Sequence, residues 1–335
     1  MVEITVLMPV YNGLIYLEET LASLKQQSFE DFEVLCIDDG SSDGSSEILS
    51  SYSAKDARFL HISTPNNLGS AAKAINYARD QAKGRFFVYT SQDDLFSPDW
   101  LCSMHERAVS SGADAVVPDV EFYTSSDISG RRLSGYFGDR SAVISGRDAV
   151  AASLNWSIPG NALWPISFLK EFGFADFGSF ADEFTVRNFY LNCDKVAFCS
   201  GVFYYRQDNT QAITKAASAG RLDEADTNLR VWRLIKDYDF PDDVHGPFAF
   251  RCLRSLIRMR GILYNSPSLA SEVPRIEALW GTLQNHNFQS SLSLGLISVR
   301  PPLRRVVYSK AGRSIFWFKL LARASAAAAR LRGKA

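Results

Sequence analysis

Four times in the first hundred residues a short apolar run is followed by a turn and then by an amphipathic stretch. That alternation constrains the fold more than any other feature of the chain. Residues 3–10 read as a strand closed by Pro9, with Tyr11-Asn12-Gly13 as its turn. Leu14, Leu17, Leu21 and Leu24 recur at intervals of three and four, which predicts a helix over 14–27. Strands follow over 32–38, 58–62 and 85–91, separated by helices over 45–53 and 70–82, the latter stopped by Lys83-Gly84. Strand and helix in alternation predict an α/β fold with a doubly wound, mostly parallel sheet.

Open sheets of this kind place ligands outside the carboxyl ends of their strands. The loops after the first, second and fourth strands carry Asn12, then Asp38 and Asp39, then Asp93 and Asp94. One ligand site built from three loops is the economical reading. The stretch Phe86 to Trp100, FFVYTSQDDLFSPDW, ends a buried strand in two adjacent carboxylates. Two like charges side by side repel, and a hard divalent cation holding a diphosphate would reconcile them. A solvated turn is the plain alternative. Ser97 is placed as N-cap and Pro98 as the first residue of a helix to Ser111. A dinucleotide site would require G-x-G-x-x-G after the first strand, where Pro9-Val10-Tyr11-Asn12-Gly13 has one glycine.

Further along, residues 113–123 predict another strand, and 124–160 are less regular. A glycine and aromatic cluster over 172–180 delivers Asp182-Glu183 to the start of a helix reaching about Leu191. An acid in a first turn either complements the helix dipole or does chemistry. A strand over 196–205 leads into Arg206 and a polar segment to Thr214. Beyond Gly220 the pattern is helical, over 221–238, 246–264 and 274–285.

The net charge of −1 argues against nucleic acid as a partner, yet it hides an asymmetry. Residues 300–335 hold ten Lys/Arg and no Asp/Glu, which leaves −11 on residues 1–299. After a break at Pro301-Pro302, the helix beyond Ala311 sets Ile315, Phe316, Phe318, Leu320 and Leu321 beside Arg313, Lys319 and Arg323. A basic, aromatic-rich helix suits an anionic membrane surface, and a terminal helix docked by its aromatics is the competing reading. No run of 18 apolar residues predicts a spanning helix. The opening MVEITVLMPVYNG lacks a basic n-region, which points away from a secretory leader. Five scattered cysteines, none in a CxxC pair, read as reduced, buried hydrophobes of a cytoplasmic protein.

The ordered set ITVLMPVYNG (4–13), Leu-Lys-Gln-Gln (24–27), Asp38-Asp39-Gly40-Ser41-Ser42-Asp43, Asn67-Leu68-Gly69 with Asn76, Gln92-Asp93-Asp94 and Gly173 to Asp182 resembles the inverting family-2 glycosyltransferases of the GT-A fold. The resemblance covers roughly the first 215 residues. It implies that Pro9, Val10, Tyr11, Asn12, Asn67 and Gln92 line the nucleotide. Asp39 would accept from the uracil imide, and Asp93, helped by Asp94, would hold Mn2+ or Mg2+. Asp182 would be the general base. The first position of the family's metal motif is Ser91 here, and Gln207-Asp208-Asn209 stand where many relatives carry a His. Arg206 either holds the diphosphate or pairs with Asp208. Trp156 and Asn161 fall in the segment that lines the acceptor side, Trp156 as a sugar platform or as core.

The chain is thus expected to hold a catalytic domain over 1–215, with a nucleotide-sugar half to about 112 and an acceptor half from about 113. A helical extension over 216–299 and a basic amphipathic tail over 300–335 complete it. The expected activity is transfer from a UDP-sugar to a hydroxyl of a glycan or lipid-linked glycan, for a cell-surface polysaccharide, at the inner face of the membrane. A non-catalytic sugar-nucleotide binder and a nucleotidyltransferase are the alternatives.

Overall fold

The first sheet of the computed structural model follows the predicted alternation. Its elements are β1 (Ile4–Val10), α1 (Leu17–Lys25), β2 (Phe32–Asp38), α2 (Ser45–Lys55), β3 (Phe59–Ser63), α3 (Ala71–Ala78) and β4 (Phe86–Tyr89). There follow β5 (Leu95–Phe96), α4 (Trp100–Ser111), β6 (Ala115–Tyr123), β7 (Arg132–Leu133), β8 (Val143–Ile144), α5 (Gly146–Ser153), β9 (Trp164–Pro165), α6 (Ile166–Glu171), α7 (Ala181–Leu191) and β10 (Val196–Arg206). The helical remainder comprises α8 (Ala219–Asp237), α9 (Asp242–Asn265), α10 (Val273–Thr282), α11 (His286–Gly295), α12 (Pro302–Arg313) and α13 (Ile315–Leu331). All residues are described except 1, 128–129, 213–217, 301 and 333–335. Thr214, the boundary expected at 215/216, Pro301 and Lys334 therefore lie outside the described residues.

The chain divides into two units, residues 1–177 with 185–209, and residues 178–184 with 210–335. In the first unit the sheet order is β3-β2-β1-β4-β9, the first four strands parallel and β9 antiparallel to β4. Ile4, Val6, Met8 and Val10 share a core with Leu17, Leu21 and Leu24 of α1. Leu7, Leu35 and Ile37, on the alternate face, are buried as well, and α3 packs against β1 and β2. Apolar residues on both faces are what a parallel sheet covered on both sides requires. The register pairs Val10 with Asp38 and Asp38 with Ser63, so these strands end level and their loops meet.

A second, mixed sheet runs β5-β10-β6-β7, with β10 parallel to β6 and antiparallel to β5 and β8. It corrects one expectation. Ser97 is not a helix N-cap: its N–H donates to the Val202 carbonyl at 2.9 Å and its hydroxyl accepts the Val202 N–H at 2.9 Å. The sheet claims that serine, and α4 starts two residues beyond Pro98, after Asp99.

In the second unit α9 packs against α8, α11 and α13. Phe318, Ala322 and Ala326 of α13 are buried, Phe318 stacking on Trp280 at 5.8 Å. Phe316 and Leu320 remain 66% and 45% exposed, so the tail's apolar residues divide between two faces. No described helix is long and apolar enough to cross a membrane. Cys36, Cys193, Cys199 and Cys252 are buried free thiols, and Cys102 is half-buried.

Candidate active site

The three loops at the carboxyl edge of the first sheet are bonded to one another. Asn12, held at a φ of 48°, takes Ser41 Oγ on its N–H at 3.0 Å and accepts the Ser42 N–H on Oδ1 at 2.8 Å. The Gly13 N–H donates to Ser45 Oγ at 2.9 Å, and the Leu14 N–H to Asp43 Oδ2 at 3.0 Å. Gln92 closes the other side, accepting the Tyr11 N–H at 2.7 Å and donating to the Tyr11 carbonyl at 3.0 Å. Both ends of its amide are thereby spent on the loop. A Cβ on Gly13 would stand 2.7 Å from Gln92 Cδ, so glycine is what permits this approach. Asn12 and Gln92, read from sequence as nucleotide contacts, hold the cradle in shape. Tyr11 is half-exposed at its lip, Pro9 is half-buried, and Val10 is buried beneath.

Asp38 and Asp39 are both buried. Asp38 accepts the Ser41 N–H at 2.9 Å, with His61 Nε2 3.9 Å away. Asp39 Oδ1 accepts the Thr64 hydroxyl at 3.0 Å and the Leu68 N–H at 2.8 Å. Among the described residues its Oδ2 takes no hydrogen bond, which leaves one carboxylate oxygen for an N–H donor brought by a ligand. Asn67 lies exposed in the same loop, its backbone against Gly40. Thr64, Ser41 and Ser45 escaped the sequence reading. Their only signal is a hydroxyl within a few residues of a strand's carboxyl end.

The carboxylate pair is more tightly built. Ser91 Oγ lies 2.6 Å from Asp93 Oδ1 and 2.5 Å from Asp94 Oδ2. One hydroxyl hydrogen cannot serve both carboxylates, so the cluster needs a further proton or a cation. Asp94 is 2% exposed, and its Oδ1 accepts the Arg206 N–H at 3.0 Å. Burial pushes its carboxyl up to about 7, with the Asp93 charge adding and the Ser91 and Arg206 hydrogen bonds opposing. Asp93 is half-buried, and its Oδ2 accepts Asn209 Nδ2 at 2.6 Å. The carboxylate and hydroxyl oxygens of Asp93, Asp94 and Ser91 are hard donors of the kind Mn2+ and Mg2+ take. No group of three His, Cys, Asp or Glu that could hold a metal exists among the described residues.

Arg206 braces this cluster from behind. Its Nε donates to the Asp93 carbonyl at 2.7 Å, Nη1 to Ser125 Oγ at 3.0 Å and Nη2 to Glu19 Oε2 at 2.6 Å. The guanidinium sits 4.2 Å from the Tyr16 ring centroid and 4.9 Å from that of Tyr123, in cation–π contact with both. Asp208, the partner considered from sequence, is a more distant 3.7 Å. With its side chain 1% exposed, Arg206 is enclosed by protein.

Asp182 and Glu183 are half-buried in the first turn of α7, within the segment that belongs to the helical unit. Trp156, at a φ of 61°, and Asn161 lie half-buried between α5 and β9. Among the described residues neither hydrogen-bonds to the carboxylate cluster.

A parallel sheet whose carboxyl-edge loops are bonded to one another, continued by a mixed second sheet, is the architecture of the GT-A glycosyltransferase fold. The family model described as glycosyl transferase family 2 matches residues 5–171, and the chain belongs to that family of glycosyltransferases. It is 26% identical to glycosyltransferase GlyG of Streptococcus pneumoniae over 274 residues, covering 70% of this chain and 87% of GlyG. It is 25% identical to the poly(ribitol-phosphate) beta-glucosyltransferase of Bacillus spizizenii over 209 residues, 61% of this chain and 32% of that enzyme. The match thus spans about a third of the Bacillus enzyme's length. Among solved structures, S. aureus TarS 1–349 in complex with UDP-GlcNAc aligns with a TM-score of 0.69 at 17% identity, covering 98% of this chain and 92% of TarS. That likeness bears out the GT-A fold.

Proposed function

We propose that this glycosyltransferase moves a sugar from a UDP-sugar to a hydroxyl of a glycan or lipid-linked glycan, with inversion at the anomeric carbon, in the synthesis of a cell-surface polysaccharide. The observation that carries the reading is the bonded cradle, with the open oxygen of Asp39 at one end and the Asp93–Asp94 step at the other. TarS, of the same fold, is described bound to UDP-GlcNAc.

In this mechanism Asp39 accepts the imide N–H of the base through Oδ2. Tyr11 and Asn67 flank the base from two loops, and Gln92 keeps the first loop at its height. Asp93 is the ligand for a divalent cation, and Asp94 supplies a second negative charge behind it. When bound, the cation spreads the charge that develops on the departing diphosphate. Arg206 fixes the backbone of Asp93 and the carboxylate of Asp94, which keeps two repelling groups at one spacing. Asp182 takes the acceptor hydroxyl's proton as the new glycosidic bond forms.

The tail extends the proposal. Leu303, Val306, Phe316 and Leu320 are exposed large apolar residues on α12 and α13, and Arg304, Lys310, Arg313 and Arg323 are exposed on the same helices. This combination suits an anionic membrane surface on the cytoplasmic side, where a lipid-linked acceptor would reside.

The test is thermal stabilisation by UDP and UDP-sugars with and without Mn2+, since a ligand of the native state raises the melting temperature. The expected result is a Mn2+-dependent shift with UDP that Asp93→Ala abolishes. No shift with any nucleotide would overturn the donor assignment. For the tail, sedimentation with phosphatidylglycerol vesicles but not phosphatidylcholine vesicles is expected, and Phe316→Glu should release the protein. Equal binding to both vesicle types would remove the electrostatic argument.

A further inference from the structure

The segment 178–184 groups with the helical unit although the chain on either side of it belongs to the first unit. Its attachment is specific. The Ser179 N–H donates to Asp223 Oδ2 of α8 at 2.8 Å. A Cβ on Gly178 would lie 2.7 Å from that same oxygen and 2.8 Å from Asp223 Cγ, so only glycine lets the segment settle on the carboxylate. Asp223 Oδ1 is bound by Arg275 Nη2 of α10, whose Nη1 reaches Glu272 Oε2 at 3.5 Å. The Arg221 guanidinium lies 5.7 Å from the Phe180 ring centroid. From this anchor the helical turn begins at once: the Ala181 N–H donates to the Gly178 carbonyl at 3.2 Å and the Glu183 N–H to the Phe180 carbonyl at 3.2 Å.

We propose that Asp223, oriented by Arg275, is a positioning residue that sets the first turn of α7 and with it the carboxylate of Asp182. The inference rests on the reading of Asp182 as general base. Each oxygen of Asp223 has a different task. One holds the backbone three residues before Asp182, and the other is fixed by a guanidinium, so the carboxylate cannot rotate without breaking a charge-assisted bond. A base must meet the acceptor hydroxyl at hydrogen-bond distance, and a misplacement near 1 Å costs about 10²-fold in rate.

The experiment measures UDP release from UDP-glucose and from UDP-GlcNAc, with water as acceptor, in the full chain and its variants. Asp223→Ala is expected to lower kcat by about 10–100-fold. The donor KM and the Mn2+-dependent thermal shift with UDP should stay at their wild-type values. Asp223→Asn, whose amide oxygen still accepts the Ser179 N–H but whose NH2 cannot accept from Arg275, should recover only part of the rate. Gly178→Ala, which pushes the segment off the carboxylate, should reproduce the alanine phenotype and serves if Asp223→Ala does not fold. Wild-type kcat in both Asp223→Ala and Gly178→Ala, with Asp182→Asn inactive, would overturn the positioning role alone. Wild-type kcat in Asp182→Asn would overturn the base assignment and the inference with it.

Discussion

Arg206 and Glu19 are joined by an ion pair of 2.6 Å across 187 positions of sequence, and the two ends of that pair differ sharply in exposure, 1% for the arginine side chain and 60% for the glutamate. A glutamine at position 19 still offers an oxygen to the guanidinium, whereas loss of the arginine removes its bonds to the Asp93 carbonyl, Ser125 and Glu19 together with both ring contacts. Arg206→Met is therefore expected to destabilise by about 3 kcal/mol, and Glu19→Gln by less than about 1 kcal/mol. Urea unfolding of the two variants measures this directly. Equal losses would mean that the Asp93 carbonyl and Ser125 contacts contribute nothing.

Asp94 makes stability depend on pH in a direction opposite to an ordinary salt-bridged acid. Its folded carboxyl titrates at about 7, above the usual carboxylate range of the unfolded chain. The folded state therefore binds the extra proton, and the stability this contributes is full below about pH 4 and lost as pH rises toward 7. In metal-free buffer Asp94→Asn should gain melting temperature relative to wild type across that rise. A difference that stays constant with pH would contradict the assignment. Saturating Mn2+ should stabilise wild type more than the variant, by neutralising the charge that the asparagine lacks.

The clamp between Gln92 and the first loop can be tested by crowding it. Gly13→Ala places a methyl 2.7 Å from Gln92 Cδ and should displace the amide from Tyr11. The expected effect is about tenfold weaker UDP binding, roughly 1.4 kcal/mol. Adding Gln92→Ala to Gly13→Ala removes the clash, so titration calorimetry should show the double variant's loss to be smaller than the sum of the two single losses. Strict additivity would show that the two residues do not act together.

His245, buried in α9, lies 2.9 Å from Asp242 Oδ1 and 3.3 Å from Lys236 Nζ. Burial, then the Lys236 charge, holds its imidazole below the ordinary value. The unfolded chain takes up that proton first, so stability is present above the ordinary histidine range and falls as pH drops through it. Melting curves between about pH 7.5 and about pH 5.5 should converge for wild type and His245→Gln if the glutamine is the less stable at the higher pH. Parallel curves would exclude His245 from the acid response.

Much of the first sheet was readable because its strands are long, apolar and bounded by turn residues. The alternation of strand and helix is enough to assign Asn12, Asp39 and Asp93 to loops on one edge, since each follows the carboxyl end of a parallel strand. The two-residue strands β5, β7, β8 and β9 carry no period to detect, and Ser97 was misassigned because its partner Val202 is 105 positions away. For the same reason Arg206 could be weighed only against its neighbour Asp208, while Glu19, in the first helix, was invisible as a partner. Gln92 looked like a ligand contact because nothing local says that its amide turns back onto Tyr11. Side chains that close loops over long separations are where local pattern runs out.

The position of β10 has a bearing on how the molecule is made. It is the last strand of the first unit to leave the ribosome, yet it enters the interior of its sheet, between β6 and the short strands β5 and β8. Until it arrives, Asp94 lacks the Arg206 N–H and β6 presents a bare edge. A nascent chain stalled before residue 196 would thus carry the three bonded loops without a braced carboxylate pair, so the two halves of this edge are completed at different times in synthesis.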